Sequence, residues 1–154
     1  MIKPLDDNES ISLIESNYIG YLAYVFKNNP YIVPMTYYFD KESHVIICYS
    51  AEGHKVNAMR KNNSLAFEVI ELESVHNWKS VLAHGTYQEL SGSNVKLQLH
   101  KFSEGVKNVI KLKEHREVDF ISEFSSKIYK NDLPIAFLIK INELTGKVRS
   151  HIMP

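Results

Sequence analysis

The residues best suited to chemistry lie in the run Ser50-Ala51-Glu52-Gly53-His54-Lys55, between an apolar strand-like stretch and a short helix-like one. A glycine lets the backbone pass close to a ligand, and a helix start presents unpaired N–H groups. Lys55 adds a full positive charge, so together these features describe a seat for a phosphate. Taken alone, the spacing also fits an ordinary loop with a solvated lysine. A second run is Val33-Pro34-Met35-Thr36-Tyr37. Proline cannot donate to a β-ladder, so a bulge or an edge is expected there, with backbone left free for a partner. Thr36 sets a hydroxyl beside it. A planar heterocycle needs such a row of polar partners against an apolar wall, although a ligand-free strand irregularity fits the same residues. A third run, Trp78-Lys79-Ser80-Val81-Leu82-Ala83-His84-Gly85, carries Ser80 and Ala83, both small enough to admit a ligand. Trp78 could wall a pocket or serve core or interface.

Other chemistry finds little support. The histidines at 44, 54, 76, 84, 100, 115 and 151 do not pair at the short spacings of metal motifs, and no carboxylates cluster round them. No metal site is expected. No serine sits in a Gly-x-Ser-x-Gly turn, and no residue stands out as a general acid or base. Lys107, Lys111, Lys113, His115 and Arg116 are interleaved with Glu104, Glu114, Glu117 and Asp119, which reads as a solvated helix face. Tyr37, Tyr38 and Tyr49 could stack on a planar cofactor or serve equally as core.

The elements that must hold these residues follow from periodicity and punctuation. Asp6, Asp7 and Asn8 offer N-caps to a short helix reaching about Ser16. Ile19–Phe26 and Tyr31–Phe39 read as strands around an Asn28-Asn29 turn, and His44–Ser50 as a third strand. Lys55–Arg60 suits a short helix, Ser64–Glu71 and Trp78–Leu90 two more strands. Ser93 or Asn94 is a candidate cap for a charged helical region from Val95 to about Tyr129, interrupted near Glu104-Gly105. Pro134 precedes a last strand, Ile135–Ile141, and Glu143–Arg149 is a polar tail. About six consecutively connected strands with few helices favour an antiparallel barrel in a single domain, residues 1–154.

The bulk numbers agree with that class. The 154 residues are 44% hydrophobic and 23% charged, enough for one core without disulfides or metals. Eighteen basic residues balance eighteen acidic ones, which argues against a protein built to bind nucleic acid or anionic membranes. The one cysteine, Cys48, lies in an apolar run and reads as a small buried hydrophobe. With no internal disulfide, no signal-peptide pattern near Met1 and no membrane-length apolar run, a cytoplasmic protein is expected.

The three runs, in this order and spacing, resemble the pyridoxamine 5'-phosphate oxidase-like FMN-binding split barrels, and within them the branch of the nitroimidazole-resistance flavoproteins. The likeness is carried by Tyr31-Ile32-Val33-Pro34-Met35, Tyr49 to Lys55, Ala58-Met59-Arg60-Lys61-Asn62, Leu65–Val69, Trp78-Lys79-Ser80-Val81 with Gly85, and Leu144-Thr145-Gly146-Lys147. It implies a six-stranded antiparallel split β-barrel of Greek-key type with a few flanking helices. It further implies a homodimer with FMN at the subunit interface. Gly53, His54 and Lys55 would then face the flavin phosphate, with Ser50 and Ser80 nearby, while Pro34, Met35, Thr36 and Tyr37 would line the ring.

The chain also departs from that pattern. Val33–Phe39 contains no arginine, and no arginine-rich extension for a substrate phosphate follows Arg149, which argues against vitamin B6 oxidation. Because one barrel hosts reductases, haem-handling proteins and deazaflavin users, fold does not name the reaction. The expectation is an FMN-dependent oxidoreductase acting on a small molecule such as a nitro compound. The alternatives are a non-catalytic flavin- or haem-binding protein and a cofactor-free interaction domain.

Overall fold

The computed structural model describes residues 1–117 and 134–150. In chain order the elements are β1 (Ile2–Leu5), α1 (Asp7–Glu15), β2 (Ile19–Phe26), β3 (Asn29–Asp40), β4 (Val45–Ser50), α2 (His54–Lys61), β5 (Ser64–Ser74), β6 (Asn77–Glu89), α3 (Ser93–Glu114) and β7 (Ile135–Arg149). All strand pairs are antiparallel, in the order β1-β7-β4-β3-β2-β5-β6, and β6 pairs back onto β7. The six long strands therefore close a ring, as expected of a split barrel, and β1 adds a short seventh to the far half of β7.

Closure depends on β7. Its first part pairs with β4, its last part with β1, and most of its length with β6. The register slips by one residue between His84↔Glu143 and Gly85↔Ile141, so Asn142 is the extra residue of a bulge that re-aims the strand. A Cβ at Gly85 would lie 2.6 Å from the Lys140 carbonyl oxygen, so only glycine admits this approach. The expected strand end at Ile141 is thus corrected: Glu143–Arg149 continues as strand, polar because much of it stays exposed.

Alternation sets the core. Leu22, Tyr24, Met35, Tyr37, Phe39, Phe67, Val69, Val81 and Ala83 point inward and are buried. Helices α1 and α2 sit toward opposite ends of β2 and send Leu13, Ile14, Ala58 and Met59 into this core. Asp6 caps α1 as expected, its Oδ1 accepting the Glu9 N–H at 2.8 Å. Helix α3 makes a second cluster outside the barrel, where Phe102, Val106 and Ile110 pack on Val45 and Ile47.

Two turns differ from expectation. The β2–β3 hairpin turns on Lys27 and Asn28, both with positive φ, because Phe26 pairs with Asn29 and leaves a two-residue loop. Helix α3 starts after Gly92 without a side-chain cap and runs unbroken through Gly105. There the missing Cβ lets the helix press on Tyr38, whose ring would stand 2.3 Å from that atom. The helical stretch expected beyond Glu117 lies outside the described residues. No helix among the described residues is long and apolar enough to cross a membrane.

Candidate functional site

The expected irregularity at Pro34 is an edge, without a bulge. Tyr37 donates its N–H to the Tyr18 carbonyl at 2.9 Å, so odd-numbered residues of β3 turn their backbone groups toward β2. Even-numbered residues turn theirs the other way. On that side β4 pairs only with Tyr37–Asp40, leaving the edge open from Pro30 to Thr36. Pro30 and Pro34 both fall on even positions, where a missing N–H costs no ladder bond. Ile32 keeps its N–H and carbonyl open there, and Thr36 its N–H.

This edge borders a cleft of about 260 Å³ lined by Pro34, Met35, Thr36, Tyr49, Ser50, Ala51, Lys55 and Phe102. The structure therefore brings Pro34, Met35, Thr36, Ser50 and Lys55 together, residues up to 21 positions apart in sequence. Ser50 is buried and turns its hydroxyl onto the Ala51 carbonyl at 2.9 Å. Among the described residues Lys55 is the one cation in the lining, at the start of α2. Burial raises the Tyr49 phenol above its ordinary value. Phe102 reaches the cleft from α3, held there by Lys101, whose ammonium bonds Asp40 at 2.9 Å. Nothing in the local sequence of α3 marks Phe102 as a wall of this cleft, since its spacing is that of an ordinary buried stripe.

The other expected residues stand elsewhere. Tyr37 points into the barrel, fully buried, and donates its hydroxyl to the Ile14 carbonyl at 2.7 Å. Gly53 precedes α2 in extended backbone, and nothing lies within 4 Å of where its Cβ would be. The chain does not need glycine there to turn, while the space beside it is open. His54 swings away from the cleft lining toward the β2–β3 hairpin. Its Nδ1 bonds the Tyr24 hydroxyl at 2.9 Å, and its ring meets Phe26 and Tyr31 edge-on at 4.9 and 4.7 Å. Tyr24 and Tyr31, opposite one another on the hairpin, stack at 5.3 Å. Ser80 lies on the outward face of β6, its hydroxyl 3.3 Å from Glu68 and outside the cleft lining.

The loop from Ala51 to Gly53 is tied down by charge. Arg60 on α2 donates to both carboxylate oxygens of Glu52 and to both of Glu89 on β6. These bonds raise the guanidinium's pKa, Glu89 contributing most, and Arg60 in turn lowers that of Glu89. A larger hollow of about 310 Å³ lies beside α1, lined by Asn8, Glu9, Ser12, Leu13, Ser16, Glu71 and Lys79. Among the described residues no group of three or more histidine, cysteine, aspartate or glutamate side chains could hold a metal ion.

Known proteins share this architecture. An FAD-binding protein from Mesorhizobium loti superimposes with a TM-score of 0.74 at 24% identity, over 98% of each chain. An FAD- and haem-binding protein from Mycobacterium smegmatis gives 0.71 at 11% identity, over 99% of this chain and 75% of that one. A candidate 5-nitroimidazole antibiotic resistance protein from Bacteroides thetaiotaomicron gives 0.65 at 16%, over 96% and 89%. These likenesses establish the fold. In sequence, an uncharacterized protein of Rhizobium meliloti (strain 1021) is 32% identical over 89 residues, so the chain spans 58% of the length of that curated relative and the match covers 58% of this chain. Residues 6–125 match the pyridoxamine 5'-phosphate oxidase family, and the chain belongs to that family.

Proposed function

We propose that this protein is a cytoplasmic flavoprotein that binds FMN in the cleft beside β3 and serves as an FMN-dependent oxidoreductase of small molecules, a nitro compound being one suitable acceptor. The carrying observation is the meeting, in one cleft, of an open strand edge at Pro34–Thr36 with Ser50 and Lys55. The donor set suits the cofactor. The open N–H and carbonyl of Ile32 and the open N–H of Thr36, with the Thr36 hydroxyl, match the polar edge of a flavin ring, and Met35, Tyr49 and Phe102 supply an apolar wall. Lys55 and the amides at the start of α2, including those of Gly53 and His54, suit a phosphate. A single cation among the described lining residues favours a terminal monophosphate over the diphosphate of FAD. Bound flavin would supply the electron transfer, and the chain's residues position it.

A homodimer completes the reading. Ile19, Tyr21, Val25 and Ile32 lie on the outward side of the β2–β3 hairpin and stay exposed, an apolar face that suits a second copy. Ser80, outside this cleft, would then contribute across the interface. A carrier that holds flavin without turnover is the second reading, favoured by the absence of histidine and carboxylate among the described lining residues. Reduction of the bound flavin by NADH or NADPH and its reoxidation by a nitro compound separates the two. For the binding site itself, Lys55→Ala should weaken FMN binding about 10- to 100-fold, as for loss of a charge-assisted bond of about 1.5–3 kcal/mol. Riboflavin, lacking the phosphate, should bind both proteins alike. Equal losses for both ligands would point to damage to the ring-binding part of the cleft, and no loss for FMN would end the assignment.

A further inference from the structure

Arg60 is the most heavily bonded cation among the described residues. Its Nε reaches Glu89 Oε1 at 2.7 Å and its Nη2 reaches Glu89 Oε2 at 3.0 Å. Nη2 also meets Glu52 Oε1 at 2.8 Å, and Nη1 meets Glu52 Oε2 at 3.0 Å. Tyr87 on β6 steadies the far carboxylate, its hydroxyl 2.7 Å from Glu89 Oε1. The guanidinium thus grips two carboxylates in bidentate fashion, the geometry in which an ion pair is strongest and most directional. What it joins is as informative as the bonds. Glu52 belongs to the irregular loop before α2, Arg60 to α2 itself, and Glu89 to the barrel wall. Gly53 gives α2 no side-chain cap, so the loop gets no such tether there.

We infer that Glu52, Arg60 and Glu89 form a strut that presets the loop Ala51–Gly53 for phosphate, with Arg60 a positioning residue and not itself a phosphate ligand. The inference rests on the phosphate site proposed above. Arg60 has both carboxylates to satisfy, and their summed charge outweighs its own, so it presents little attraction to an anion. Its effect on phosphate is mechanical: it fixes the loop whose amides lead into Lys55. Without the strut, ordering those residues falls on the ligand, which must then bear the backbone entropy of fixing them.

The sign of one substitution discriminates. If Glu52 acted on phosphate only through its negative charge, Glu52→Ala would strengthen FMN binding by removing a repulsion. The strut requires it to weaken FMN binding instead, by about 10-fold, the equivalent of about 1.4 kcal/mol. Dissociation constants for FMN and riboflavin are measured by flavin fluorescence on the full chain, for wild type, Glu52→Ala, Arg60→Ala, Arg60→Lys and Lys55→Ala. The expected result is a selective loss for FMN in Glu52→Ala and Arg60→Ala, riboflavin unchanged within twofold, and partial recovery in Arg60→Lys. Because Glu52 is exposed, its variant should melt with the wild type and keeps the test independent of folding. Unchanged or tighter FMN binding in Glu52→Ala, beside a loss in Lys55→Ala, overturns the strut and leaves the phosphate site standing. No loss in Lys55→Ala removes the phosphate site and the strut with it.

Discussion

Gly105→Ala poses helix propensity against packing, and the structure decides which prevails. Inside a long helix, replacing glycine with alanine stabilises by about 1 kcal/mol. At Gly105 the new Cβ would stand 2.3 Å from two carbons of the Tyr38 ring, roughly 1.2 Å inside the ~3.5 Å of a good carbon contact. The ring's own Cγ is 2.7 Å away, so rotating the ring about its axis does not relieve the clash. Tyr38 is held by its pairing with Ile47, and Phe102 and Val106 hold α3 on the same sheet. Overpacking of this kind costs about 1–3 kcal/mol, and the fixed neighbours place it at the upper end. The net expectation is a loss of about 1–2 kcal/mol, or about 3–6 °C in melting temperature for a chain of this size. Urea unfolding of Gly105→Ala, Tyr38→Ala and the double variant tests the account. With the ring removed, the same alanine should become neutral to stabilising by up to ~1 kcal/mol. A stabilised Gly105→Ala in the native background would refute the packing argument.

Acid should loosen the hold of α3. Lys101 and Ser43 hold the Asp40 carboxyl below its usual range despite its burial, so its contribution is full above the unfolded carboxyl's pKa and fades as pH falls through the lower, folded one. Stability measured by denaturant from pH 6 down to 3 should fall at the acid end, and Asp40→Asn should flatten that dependence; a parallel fall in both proteins would remove Asp40 as its source. For the proposed dimer, Tyr21→Asp places a charge on the exposed β2 face and should shift sedimentation toward the monomer, with FMN affinity falling alongside. An unchanged dimer would move the interface off this face.

The sequence carried the barrel because its inward positions alternate so regularly, as in Leu22, Tyr24 and then Met35, Tyr37, Phe39. The open edge was legible too, since a proline at position 34 can only sit where a ladder bond is absent. What escaped notice depended on partners distant in the chain. Ile2–Leu5 is a strand only because β7 runs past it, and its Pro4 and short length disguise it. Glu143–Arg149 lacks a continuous apolar stripe, because pairing with β6, and from Gly146 with β1 as well, holds it extended. Gly105 looked like a break because its reason, the Tyr38 ring, lies 67 residues earlier. The turn of His54 was foreshadowed: Tyr24 and Phe26 share a strand face with Tyr31 opposite, leaving an aromatic slot at the hairpin end.

The ring closes through β7, the latest described strand in chain order, which must find β4, β6 and β1 together. During synthesis the earlier strands can form only an open sheet, with the free edges of β4 and β6 waiting for a partner. Such edges template wrong pairings while they wait. Long-range closure of this kind also slows folding, since the loop entropy is spent before the last ladder repays it. Nascent chains halted before Ile135 should therefore be the most vulnerable to association and proteolysis. The ribosome's release of one strand, Ile135–Arg149, would then set the moment at which the protein becomes safe from both.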